Sequence, residues 1–325
     1  MRRKHRILAI LLIACMLFAG AGTSAFASSK TYSVKVCVTQ NYTYAKKVLE
    51  LVNKERTKRG LRKLKLDKNL TDSAVQRCAE VAIAVPWSSP HKRPNGKRVR
   101  TLNKRIMYEC CAESEGGYSP SDIVDGWMHS PSHKKGILLK SARSIGIGCA
   151  TTHGYDEYWT LEFSSTKAKK TEKRTGKVSS KKKVTMRSSL MKKKYFRIHP
   201  QGDYSYSDYS GKNVEMEVGA KAVMNPYYSG GQMVPGGSTL LDRSIMTWKS
   251  SNPSVLSIDS KGNMVALSSG PPVTITGTMK KAPKFKITKT ITVLEYSDDD
   301  DWDYDDDYDY DYDYDYEDDG DYDYD

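Results

Sequence analysis

The sequence predicts an α+β first domain, a smaller all-β second domain and a disordered acidic tail, and three observations carry that prediction. Apolar residues recur at helical spacing between Val48 and Val85 and again from Ile123. Alternating runs rich in β-branched and aromatic residues follow, at 144–149 and 158–163. From about Val214 the chain turns strand-like up to Leu294, after which Asp and Tyr replace almost every other residue type. A length of 325 residues leaves room for about two domains.

Residues 1–27 read as an export signal. Arg2, Arg3, Lys4 and Arg6 form the charged start, Ile7 to Ala19 the apolar core, and Ala25-Phe26-Ala27 the small-residue cleavage site, so the mature chain is expected to start at Ser28. Leu12-Ile13-Ala14-Cys15 has the shape of a lipoprotein cleavage box, but the residues after Cys15 stay apolar, and the first reading is preferred. No later run reaches the length of a membrane span.

Val48, Leu51 and Val52 mark a first helix, closed near Gly60, where a left-handed C-terminal cap fits. Leu70, Ala74, Val75, Cys78, Ala79 and Ala82 mark a second, stopped by Pro86. Ser119-Pro120-Ser121-Asp122 supplies an N-cap, a proline at the first position and a capping carboxylate for a third, and a short fourth helix starts at Ser130. The strands at 144–149 and 158–163 are expected to pair around His153-Gly154. Residues 164–200 carry 14 Lys or Arg against the single Glu172 and are read as a solvated basic linker. The all-β domain is placed at 212–295 and the Asp/Tyr-rich tail at 297–325.

Charge divides the chain. The last 28 residues hold 18 of the 39 acidic residues and no Lys or Arg, and without those 18 the net charge rises from +13 to +31. A basic body with an acidic tail implies attraction within the chain, anionic partners, or both. Tail carboxylates that fold back on the basic linker, or that collect calcium or magnesium, are the two sharper readings. Cys15 leaves with the signal, so five cysteines remain (Cys37, Cys78, Cys110, Cys111 and Cys149), and an exported chain is expected to oxidise them where geometry allows.

Three motifs stand in order: Ser89-Pro90-His91-Lys92-Arg93-Pro94-Asn95-Gly96, then Ala112-Glu113, then Trp127-Met128-His129-Ser130-Pro131-Ser132-His133. Together they resemble the bacterial branch of the CAP superfamily, whose members carry His-x-Arg-Pro-Asp-Gly, Gly-Glu-Asn and Trp-Met-x-Ser-Pro-Gly-His. The resemblance covers 43–163 and implies an α-β-α sandwich with a cleft lined by His91, Glu113 and His133. Imidazoles and a carboxylate in one cleft suit zinc or another divalent metal, or acid-base chemistry; a purely structural polar network is the alternative. The match is incomplete, with Ser114 after the Glu, and Leu161 where relatives carry Gln. Glu162 falls one place later, on the opposite face of its strand. Likewise Trp248-Lys249-Ser250-Ser251-Asn252-Pro253, the turn at Gly262 and Val273-Thr274-Ile275-Thr276 resemble the bacterial Ig-like group 2 repeat, which implies a β-sandwich spacer.

Lys92, Arg93, Lys97, Arg98, Arg100, Lys104 and Arg105 fall between Pro86 and Met107 with no acidic residue among them, which builds a positive rim beside the cleft. The expected ligand-binding set is Lys92, Arg93, Lys97, Arg98 and Arg100, and the expected partner is an anionic surface polymer or lipid, with no nucleic-acid recognition motif in sight. The leading expectation is a secreted or cell-surface, non-catalytic binding protein. Its rivals are a metal-assisted hydrolase of wall or host material, with His91 and His133 as ligands and Glu113 as general base, and an adhesion protein working through its linker and tail.

Overall fold

A computed structural model describes residues 30–84, 91–152, 156–203, 206–207, 214–230 and 238–295. The expected export signal, the His153-Gly154 turn and the acidic tail lie outside the described residues. The first half runs β1 (Thr31–Asn41), α1 (Tyr42–Thr57), β2 (Lys65–Leu66), α2 (Lys68–Ile83), β3 (Tyr108–Glu115), α3 (Pro120–His129), α4 (Pro131–Ile137), β4 (Ser144–Thr151), β5 (Asp156–Ser164) and β6 (Lys177–Arg187). Side chains start the helices as local chemistry demands. Asn41 accepts from the Tyr44 N–H at 3.1 Å and Asp67 from that of Leu70 at 3.0 Å. Ser119 and Asp122 complete a reciprocal capping box with Pro120 at the first position.

The strands form one six-stranded sheet in the order β3-β5-β4-β1-β6, with β2 added in parallel to β4. Because side chains alternate across a sheet, β4 has two different faces. Ile145 and Ile147 meet Val48, Val52, Ile123, Trp127 and Ile137 from α1, α3 and α4. The other face of β4 shows Gly146 and Gly148 to α2. A Cβ on Gly146 would stand 2.2 Å from the Leu70 carbonyl carbon, and one on Gly148 2.6 Å from Cys78 Sγ. Two glycines therefore let α2 lie directly on the sheet, and the three layers are helix, sheet and helix.

The basic stretch corrects an expectation. Residues 177–187, read from charge as solvated linker, form β6, which pairs antiparallel with all of β1 from Thr31↔Arg187 to Asn41↔Lys177. Its sequence alternates at the C-terminal end, so Val184 and Met186 are fully buried while Lys181 and Lys183 face solvent. Two buried side chains of this size contribute roughly 1.5–3 kcal/mol each, which a solvated linker does not have. The sheet consequently starts at Thr31 and ends at Arg187, beyond both limits of the expected 43–163.

The second half holds β7 (Phe196–Gly202), β8 (Tyr206–Ser207), β9 (Val214–Glu217), β10 (Lys221–Tyr228), β11 (Thr239–Leu240), β12 (Met246–Ser250), β13 (Leu256–Ile258), β14 (Asn263–Ala266), β15 (Gly270–Met279) and β16 (Lys286–Leu294). They make two five-stranded sheets, β11-β10-β14-β13 with β7 on β10, and β12-β15-β16-β9-β8. Pairing is antiparallel except where β16 runs parallel to β9. Met224, Tyr228 and Met264 of one sheet and Met246, Ile275 and Ile291 of the other share one apolar cluster, which continues into Val34, Val36, Val184 and Ala82 of the first half. Polar contacts cross the same seam: Thr239 Oγ1 donates to the Ala82 carbonyl at 2.8 Å and the Asp242 N–H to that of Lys35 at 2.8 Å. If β6 is part of the core, Val184→Asp should lower stability by about 3 kcal/mol in urea unfolding, since it buries an unpaired carboxylate opposite Val34. A solvated linker would tolerate the change.

Candidate functional site

One stripe of α2 carries Ser73, Arg77 and Glu80 toward the sheet, spaced four and three residues apart as a helix face requires. Opposite them, Glu109 of β3 and Glu162 of β5 sit directly across from each other in the ladder. Arg77 is fully buried between the two layers. Its Nε donates to Glu109 Oε1 at 2.8 Å and its Nη1 stands 3.5 Å from Glu80 Oε2. From the loop above, Arg93 donates to Glu80 with Nε at 3.0 and 3.1 Å and with Nη2 at 2.7 Å. His91 closes the set with Nδ1 at 2.8 Å from Glu109 Oε2. Two carboxylates and two guanidinium groups thus alternate through the buried layer, and the imidazole sits at its outer edge with 38 % of its side chain exposed.

Electrostatics fix the protons. Burial would raise the Glu109 carboxyl, but Arg77 and His91 outweigh it and hold it below the usual carboxylate range. An ionised carboxylate only accepts, so His91 carries its proton on Nδ1, and Nε2 is left for other contacts. Glu162 is the reverse case: burial, reinforced by the Glu109 charge, pushes its carboxyl well above the usual range, and it accepts from Ser73 Oγ at 3.1 Å.

Of the three residues expected to share the cleft, His91 and His133 stand near enough for the His91 charge to act on the His133 ring. Glu113 lies four residues from Glu109 on the same face of β3, about 13 Å along the strand. There it opposes Tyr158 and helps burial raise that phenol. His133, on α4, meets the Trp127 ring edge-on, centroids 6.3 Å apart. Burial, with a smaller contribution from the nearby His91 charge, lowers its pKa to about 4, so it is a neutral imidazole at ordinary pH. Among the described residues no group of three or more His, Cys, Asp or Glu side chains stands close enough to hold a metal ion. The buried carboxylates beside His91 and Arg93, Glu109 and Glu80, are already paired with the Arg77 and Arg93 guanidinium groups.

Sequence reasoning missed Glu109, Arg77 and Glu80. The signal was present, since Glu109 shares the period-two face of Glu113, and Arg77 and Glu80 interrupt an otherwise apolar helix face. Glu162, discounted for pointing to the opposite side, does so, and that side is the one holding Arg77 and His91. Arg93, expected at the ligand, is instead a structural cation on Glu80. Lys92, Lys97, Arg98 and Arg100 are exposed and make no ion pair among the described residues. His129 is exposed beside Asp125.

No disulfide joins the five described cysteines, Cys37, Cys78, Cys110, Cys111 and Cys149. Cys110 and Cys111, being adjacent in a strand, point to opposite faces, and burial pushes the Cys111 thiol far up, away from a nucleophilic thiolate. A separate cleft of about 90 Å³, between α1 and the ends of β1, β4 and β5, is lined by Tyr44, Glu157, Trp159 and Lys177 and contains none of the expected site residues.

With this geometry in place, comparison defines the class. Residues 49–163 match the cysteine-rich secretory protein family, CAP, and form a CAP domain. An uncharacterized protein of Bacillus subtilis strain 168, YkwD, is 32 % identical over 124 residues, covering 37 % of this chain and 46 % of that one. The chain therefore spans under half the length of the curated relative it matches. Among solved structures, an extracellular SCP-domain protein of Bacillus anthracis is similar at TM-score 0.31 and 19 % identity, over 37 % of this chain and 39 % of that chain. An outer surface protein of Borrelia burgdorferi is similar at TM-score 0.30 and 17 % identity, over 39 % of this chain and 92 % of its own. No described helix is long and apolar enough to cross a membrane.

Two outcomes check the site. Glu109→Ala should cost about 3–5 kcal/mol in denaturant unfolding, because it strands the buried Arg77 charge. Acidification should destabilise the fold between pH 6.5 and about 4, where the unfolded chain takes up a proton that the buried His133 still refuses. That contribution is full above 6.5 and is lost as the pH falls toward 4. Glu162, whose carboxyl burial raises, works in the opposite direction, so the comparison that isolates His133 is the urea midpoint of His133→Gln against the parent across this range, with the variant showing the flatter slope.

Proposed function

We propose that this is a secreted or cell-surface, non-catalytic CAP-domain protein whose loop at 91–100 binds an anionic surface ligand. One observation carries the reading: Lys92, Lys97, Arg98 and Arg100 are exposed cations with no ion-pair partner among the described residues, on a loop that His91 and Arg93 tie to buried carboxylates. A loop anchored this way presents its charges at little further ordering cost when a ligand arrives. The saturated ion-pair layer beneath favours binding over metal-assisted hydrolysis, since its carboxylates already have cations. The second half, read as an Ig-like group 2 spacer, is supported by Trp248 lying over Gly277 between paired strands, where an added Cβ would come within 2.9 Å of the indole.

The test is sedimentation with a glycerol-phosphate wall polymer at two salt concentrations. Lys97→Ser, Arg98→Ser and Arg100→Ser together should weaken binding about tenfold or more and reduce its salt dependence. Unchanged binding by a folded triple variant would sink the reading.

A further inference from the structure

The positive surface does not stop at the loop, because the structure brings a second basic segment against it. The N–H of Arg187, at the end of β6, donates to the Pro94 carbonyl at 3.1 Å, and its side chain passes over Gly96, where an added Cβ would stand 3.4 Å from Arg187 Cδ. The next residue, Ser188, donates its N–H to the carbonyl of Lys30 at 2.9 Å, so an exposed lysine from the start of β1 joins the same place. Five residues on from Arg187, Lys192, Lys193 and Lys194 are all exposed, and the first and third lie 5.8 and 5.3 Å from the Tyr195 ring. The chain geometry confines Lys192 to within about 18 Å of Arg187. None of Lys30, Arg187, Lys192, Lys193 and Lys194 makes an ion pair with a described residue, and the buried Nε of Arg187 has no hydrogen-bond acceptor among them. A guanidinium left short of an acceptor where two basic segments meet is poorly satisfied by the protein alone.

Resting on the proposed anion-binding loop, we infer that the ligand is a linear polyanion that runs from Lys97 and Arg98 across Arg187 to Lys192–Lys194, so that both halves of the chain bind it at once. A small anion reaches only one segment, whereas a polymer long enough to span them gains the second set of contacts as an intramolecular event. The shared apolar core between the halves keeps the two segments in fixed register, which is the condition for that gain. Neither segment has an acidic residue within it to repel such a chain.

The experiment compares tripolyphosphate with long-chain polyphosphate on the full chain. Lys192→Ser, Lys193→Ser and Lys194→Ser together should weaken the long polymer about tenfold and lower its log-affinity against log-salt slope by about 2, while leaving tripolyphosphate unchanged. A charge-matched variant on the α1 side, Lys54→Ser, Arg62→Ser and Lys63→Ser, should change neither. If the Lys192–Lys194 variant binds long polyphosphate like the parent while the Lys97, Arg98, Arg100 variant loses it, the two-segment surface is wrong and the loop reading survives. If neither variant changes either probe, the loop reading fails as well. Equal losses in all three variants would reduce the effect to net charge and overturn the proposal.

Discussion

Everything around the candidate site follows from the burial of one charge, Arg77. A guanidinium with no exposure must be met by anions, because desolvating it uncompensated would cost several kcal/mol. Glu109 and Glu80 meet it, and each has a second oxygen still to satisfy. Glu109 therefore takes the His91 N–H and Glu80 takes Arg93, so the loop that carries both residues is fastened to α2 and β3 by the remaining valence of the ion pair. The third carboxyl, Glu162, makes no ion pair among the described residues, and burial beside the Glu109 charge pushes it well above the usual carboxylate range. The layer is thus saturated in charge before any ligand arrives.

That saturation separates two kinds of cation on one short loop. Arg93 turns inward and is structural, whereas Lys92, Lys97, Arg98 and Arg100 stay exposed. The same division recurs in β6, where Val184 and Met186 face the core and Lys181 and Lys183 do not. In both places the exposed positive charge lies on segments tied to the packed core by buried neighbours.

The two halves are not beads on a string. β6 leaves the first sheet at Arg187 and the chain enters β7 at Phe196, while Val34, Val36 and Leu241 pack in the cluster that fills the second half. Shared apolar burial of this kind resists relative motion more than a polar domain contact would.

Much of the fold was legible in the sequence because its signals are local. Asp67, Ser119-Pro120 and Pro131 announce helix starts through groups within four residues, and the apolar spacing of α1 to α3 and the alternation of β4 and β5 need no distant information. Three residues of the proposed loop cluster, Lys97, Arg98 and Arg100, were likewise visible as unmixed charge. What only the tertiary structure decided is who faces whom. β1 and β6 are joined across pairs such as Thr31↔Arg187, and charge counting over 164–200 conceals a strand because only alternate residues at one end of β6 need be apolar. The carboxylate on His91 is Glu109 rather than Glu113 because the α2 ion pair and the position of the loop choose between two carboxylates on the same face of β3, and motif spacing along one chain carries no information about either.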